Sequence, residues 1–170
     1  MPGPHHLLTA LALAAALAMA GCATLGRADD LVVGSSTAET VIARYGPPVQ
    51  VWPEADGGRT LEYSSQPFGR TCYMVRLGPD GKLLGVRDTL LYASRFSIEP
   101  GMSEEQVSRL LGRERSRVFF RFSGEDVWDW NVDPEQSGYL LRFNVHFKDH
   151  RVVRLSQSMV FPGKFPFDER

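Results

Sequence analysis

The sequence is short of cysteine, of net charge and of long apolar runs, and each shortage narrows what the chain can be. Its 170 residues contain two cysteines, Cys22 and Cys72, and no Cys-x-x-Cys pair. Nineteen Lys and Arg stand against 20 Asp and Glu, for a net charge of −1, and the basic residues never cluster. Nucleic acid is therefore disfavoured as a partner, because phosphate binding needs a concentrated basic face. No Gly-rich phosphate loop or Gly-x-Ser-x-Gly elbow occurs. The longest apolar stretch, Leu7 to Ala20 with Thr9 inside it, falls short of the about 20 residues that span a bilayer. A hydrophobic content of 43% suits one ordinary globular domain or two very small ones.

What is present begins with that apolar stretch, which reads as the core of a secretory signal. It ends in Met19-Ala20-Gly21-Cys22, which resembles a bacterial lipobox. A thiol at that point receives diacylglycerol, and small neighbours let the peptidase close on the backbone. Cleavage would leave Cys22 as the first, acylated residue (palmitate among its chains). Each buried CH₂ contributes about 0.8 kcal/mol of membrane affinity. Alanine rather than aspartate at position 23 implies sorting to the outer membrane. The expected organisation is a signal over 1–21, a tether over 22–33, and a body facing the periplasm. The competing reading is an ordinary signal peptide with an incidental cysteine. With Cys22 acylated, Cys72 has no partner in the chain, and its place in "TCYMVRL" reads as a buried, inert strand thiol.

The body carries a repeat. "GSSTAETVIARYG" and "PGMSEEQVSRLLG" align with Val41 over Val107, Tyr45 over Leu111 and Gly46 over Gly112. Each reads as a short helix. Ser36 with Glu39, and Ser103 with Gln106, are spaced for a capping box, and a glycine ends each segment. Such short helices are unstable alone and must dock on something. Strand patterns follow at Val49 to Trp52, Arg59 to Ser65, Thr71 to Leu77 and Lys82 to Asp88. In the second half they fall at Ser116 to Phe122, Asp126 to Val132, Tyr139 to Phe147 and Arg151 to Gln157. Trp128, Trp130 and Val132 share one face, and Val127, Asp129 and Asn131 a mostly polar one, which predicts one wet face. The fold expected is α+β: two tandem units, 34–90 and 98–160, each a short helix packed on a small antiparallel meander sheet.

Chemistry is thinly signalled. His146, Asp149 and His150 lie in "HFKDH", which reads as a solvated turn rather than a metal site, two ligands leaving the shell incomplete. The acid pairs Glu104-Glu105, Asp126/Asp129 and Asp133/Glu135 have no visible apolar pocket to raise a pKa. No catalytic residue, cofactor or metal is expected, and the chain reads as a non-enzyme. Trp128 and Trp130 read as core residues. The tail over 161–170, "FPGKFPFDER", places Phe161, Phe165 and Phe167 among prolines, so these either dock on the body or reach a partner.

The segment "SIEPGMSEEQVSRLLG…DVWDWNV…LRFNVHFKDHRVV" resembles the BamE (SmpA/OmlA) family of outer-membrane lipoproteins. The match rests on Ile98, Gly101, Met102, Ser103, Gln106, Val107, Leu111, Gly112, Trp128 and Trp130, over about 60 residues. Two such units in tandem are also similar to the β-lactamase-inhibitor protein arrangement, in which paired sheets form one protein-binding surface. The resemblance implies an outer-membrane-anchored periplasmic scaffold whose partners are envelope proteins, including the outer-membrane assembly machinery. The alternative is a periplasmic binding or inhibitor module that grips a soluble enzyme or a small ligand.

Overall fold

The computed structural model describes residues 31–91, 95, 97–133 and 139–160. Helix α1 (Ala38–Tyr45) starts at Thr37, whose side chain accepts from the Thr40 N–H at 3.4 Å. The expected Ser36/Glu39 box does not form, because the Ser36 hydroxyl is taken by the Val32 N–H at 2.9 Å. Helix α2 (Glu104–Leu111) does have its box, with Ser103 and Gln106 satisfying each other's backbone N–H groups. Gly46 and Gly112 end the helices at φ +79° and +76°, a conformation in which a Cβ is strained.

After α1 come β1 (Gln50–Pro53), β2 (Arg59–Ser64), β3 (Cys72–Leu77) and β4 (Leu83–Asp88), an antiparallel sheet in chain order. After α2 come β5 (Ser116–Phe120), β6 (Glu125–Val132), β7 (Leu140–Lys148) and β8 (Arg151–Val160), a second sheet of the same kind. The β7–β8 hairpin turns on Asp149 and His150, at φ +51° and +60°. Asp and His are among the non-glycine residues that tolerate this region, so Asp149 serves the turn.

Several backbone ties recur in the two halves. The Gly34 N–H donates to Leu83 O at 2.7 Å and the Gly101 N–H to Val152 O at 2.8 Å. Tyr63 Oη donates to Gly46 O, and Trp130 Nε1 to Gly112 O, each at 3.1 Å. Each helix start is thereby pinned to the last strand of its half, and each helix end to an aromatic of the second strand.

The expected α+β pair of helix-on-sheet units is overturned. The protein is mostly β: two four-stranded antiparallel sheets and, among the described residues, two helices of eight residues each. The helices give three and two buried residues, Ala38, Val41 and Tyr45 in α1 and Val107 and Leu111 in α2, so strands supply most of the interior. Nor does the interior divide by unit. One core joins α1 to Leu61, Tyr63, Val75, Leu77 and Leu83. The larger core mixes Cys72, Met74 and Leu90 from the first half with Val107, Leu111, Trp128 and Trp130 from the second. Side-chain alternation explains the mixing: successive residues of β3 face opposite ways, so Val75 and Leu77 meet α1 while Cys72 and Met74 meet the other core. The first sheet is thus covered on both faces.

Candidate functional site

The proposed lipidation site Cys22 and the tail residues Phe161, Phe165 and Phe167 lie outside the described residues. Cys72 is fully buried. Burial, reinforced by the neighbouring Glu62, pushes its thiol up to about 12, so no thiolate is present to act as a nucleophile at neutral pH. The His146/Asp149/His150 group comes apart in space. His150 is exposed and bonds Glu104 at 2.9 Å. His146 is buried on β7 instead of solvated in the turn. Among the described residues no group of three or more His, Cys, Asp or Glu could hold a metal ion.

His146 belongs to a polar network on the outer face of the second sheet. Its Nδ1 lies 3.0 Å from Glu125 Oε2 and its Nε2 lies 2.7 Å from Ser156 Oγ. Arg154 donates to both Glu125 oxygens, at 3.2 and 2.6 Å. That guanidinium first, and His146 second, hold the Glu125 carboxyl down to about 2. Asn144 Nδ2 donates to Ser156 Oγ and Ser158 Oγ at 3.1 and 2.8 Å. Asp129, expected on a wet face, is buried against Arg115 and Ser116. These side chains satisfy one another, whereas Arg142 Nε, on the same face of β7, is buried without a hydrogen-bond partner among the described residues. The Ser–His–Glu order matches that of a nucleophilic relay, but none of its members lines either cleft described next.

Those clefts flank Trp52 on β1. Its Nε1 donates to Glu62 Oε2 at 2.9 Å, and the Arg113 N–H donates to Glu62 Oε1 at 2.6 Å. These two donors offset the cost of a carboxylate that is only 1% exposed. Arg109 from α2 sits over the indole at 5.0 Å and reaches Pro53 O at 3.2 Å. A cleft of about 420 Å³ opens between α2 and β4, over Met74 and Thr60. A second, of about 340 Å³, opens toward Ser108, Arg113 and Arg117. Sequence reasoning missed both, because their walls come from separate strands and α2 and make no local motif. The usable signal was alternation, which puts Thr60, Glu62, Met74 and Arg76 on the face opposite Leu61, Tyr63 and Val75.

The other conspicuous surface is β5, the edge of the second sheet. Phe119 is 58% exposed, with Val118 and Phe120 exposed beside it, and Phe122, in the turn that follows β5, is fully exposed. Arg117 stacks over Trp128 at 3.8 Å. Apolar edge strands are templates for pairing with another chain. No helix among the described residues is long and apolar enough to cross a membrane.

No protein-family model and no curated protein matches the chain. Among solved structures it is similar to a DUF4309 family protein (YjgB) from Bacillus subtilis subsp. subtilis str. 168, at 18% identity, over 78% of this chain and 83% of that one, with a TM-score of 0.29. It is also similar to an extracellular protein containing a SCP domain from Bacillus anthracis str. Ames, at 14% identity, over 81% of this chain and 48% of that one, with a TM-score of 0.29. Likenesses this loose carry no argument about function.

Proposed function

We propose that this chain is an outer-membrane-anchored periplasmic lipoprotein that acts as a protein-binding scaffold, in outer-membrane protein assembly or envelope integrity. The observation that carries the reading is the exposed apolar edge at Val118, Phe119 and Phe120, with Phe122 in the turn that follows. A strand that leaves this much apolar surface in water at a sheet edge is suited to receive a partner chain. The sequence Met19-Ala20-Gly21-Cys22 supports the anchor, and the Gly101-Met102-Ser103…Gln106-Val107…Leu111-Gly112 pattern supports kinship with BamE-type lipoproteins. The Phe-Pro tail over 161–170 offers a further contact. Catalysis has no place in this reading, and neither does a cofactor.

Two measurements test it. Lipid labelling and membrane fractionation of the wild type against Cys22→Ala should show acylation and membrane association only in the former. Affinity purification from detergent-solubilised membranes should recover an envelope protein, and Phe119→Asp with Phe122→Asp should reduce that recovery. Recovery of the bait alone, together with an intact envelope in a deletion strain, would overturn the scaffold role.

The clefts beside Trp52 favour a second reading, a periplasmic binding or inhibitor module that grips a soluble enzyme or a small ligand. Assays of cell-wall hydrolases and β-lactamases with the purified chain separate the two, since a scaffold leaves those enzymes unaffected.

A further inference from the structure

We propose that the larger cleft, between α2 and the outer edge of the first sheet, is a docking site for an extended acidic peptide segment of a partner protein. The source of that peptide rests on the scaffold role above; the cleft's preference for acidic chains does not.

At about 420 Å³ the cleft lies at the small end of ligand sites, sized for a few side chains rather than a folded domain. Its apolar lining is Met74, Trp52 and the exposed Leu84, while Val86 turns its side chain to the α1 core. Gly85 leaves this space unfilled: a Cβ built on it meets nothing within 4 Å, and its φ is not positive. The charged lining is three guanidiniums, Arg76, Arg87 and Arg109, and the carboxylate of Glu54, while Asp56 and Glu105, outside the lining, pair with Arg76 and Arg109. Glu54 is already engaged, accepting from Thr60 Oγ1 at 2.5 Å.

The three arginines are not equivalent. Arg76 is fixed by Asp56 at 2.7 Å and by Leu77 O at 2.7 Å. Arg109 is fixed by Glu105 at 3.0 Å and by the Trp52 ring. Arg87 is exposed and has no ion pair among the described residues. Arg87 is the open fork of the rim, free to bind a carboxylate in bidentate fashion, and the paired Arg76 and Arg109 leave N–H groups beside it. The same charges repel a basic segment.

A peptide fits better than a free acid because of where the cleft lies. β4 is the edge strand of its sheet; its start at Leu83 is already bridged by the segment at Gly34 and Ser36, and the next four residues, Leu84 to Arg87, line the cleft. An extended chain laid along that edge sends alternate side chains one way, an apolar one toward Met74 and acidic ones toward the arginines.

The test is fluorescence anisotropy on the purified full chain, with a dye-labelled Glu-Asp-Phe-Asp-Glu peptide, its Lys-Lys-Phe-Lys-Lys counterpart, and free glutamate as competitor. Saturable binding of the acidic peptide is expected, weakening as salt is raised. Arg87→Glu should weaken it by about tenfold or more. Gly85→Phe, which fills the empty floor, should abolish it, and thermal melts of both variants should match the wild type. No saturable binding, equal binding of the basic peptide, full competition by free glutamate at equal concentration, or unchanged binding in folded Arg87→Glu and Gly85→Phe would each overturn the site. Failure of the anchor leaves this result standing. Conversely, a chain that binds no acidic peptide, yet captures envelope proteins through β5, would remove the cleft alone.

Discussion

Gln66 completes the hydrogen-bonding of Asn131 across the boundary between the two sheets. Its Nε2 donates to Asn131 O at 2.8 Å, and the Asn131 N–H donates to its Oε1 at 3.3 Å. β5 pairs with β6 only as far as Ser116 with Asp129. Two residues on, the side-chain amide stands where a strand would have been. Asn131 Nδ2 adds a bond to Pro67 O at 2.7 Å.

Gln66 is only 7% exposed. Gln66→Ala should therefore strand a backbone donor and acceptor and cost about 1–3 kcal/mol in urea unfolding. Gln66→Glu sets a carboxylate oxygen against the Asn131 carbonyl in a buried position, so it should cost at least as much as Gln66→Ala. A cost of a few tenths for Gln66→Ala would mean the contact is incidental.

Gly46 and Gly112 have nearly the same φ but different surroundings. A Cβ on Gly46 meets nothing within 4 Å, whereas one on Gly112 falls 2.3 Å from Cys72 Sγ and 3.0 Å from Glu62 Oε1. Gly46→Ala should cost about 1 kcal/mol, from backbone strain alone. Gly112→Ala adds overpacking of about 1–3 kcal/mol more. Equal urea midpoints for the two variants would contradict this geometry.

Cys72 should be silent to thiol reagents in the folded state. With its thiol pushed up to about 12 and its side chain buried, no reaction with a chromogenic disulfide is expected at pH 8 until denaturant is added. Rapid native-state labelling would show that the core opens far more readily than its packing implies.

Two titrations should act on stability with opposite sign. Glu125 titrates near 2 in the fold against 4.5 for the free carboxyl. It therefore contributes stability that is present above pH 4.5 and lost as pH falls toward 2. His150 is raised above 6.5 by Glu104, so its contribution is present in acid and lost as pH rises through its raised value. Melting temperatures of Glu125→Gln and His150→Ala, followed from pH 2 to 9, should each differ from the wild type in the window named and converge outside it. Arg154→Ala, removing the leading cause, should bring the Glu125 titration back up in an NMR experiment.

The strands were legible because alternation and turn residues are local. Arg59 to Ser64 ran within a residue of its reading, and the Ser103/Gln106 box formed as spaced. The fold class was not legible. Nothing in "TCYMVRL" says that Cys72 and Met74 face a helix more than 30 residues downstream, and that sharing is what undoes the division into units. His146 was misplaced for a related reason. Its partners Glu125 and Ser156 come from neighbouring strands, while the residues beside it in sequence suggested a wet turn. Ser36 lost its capping role to a competitor four residues away, the Val32 N–H, which no spacing rule anticipates. The clefts were invisible for want of any contiguous signal.

Helix α2 is fastened on two sides: Trp130 holds Gly112 O, while Thr89 Oγ1 donates to Leu111 O at 2.9 Å and Arg109 grips Pro53 O. A peg wedged between two plates forbids them from hinging. Anything that loosens it would collapse both hollows beside Trp52 together, and a chain cut after the first sheet would leave Cys72 and Met74 facing water.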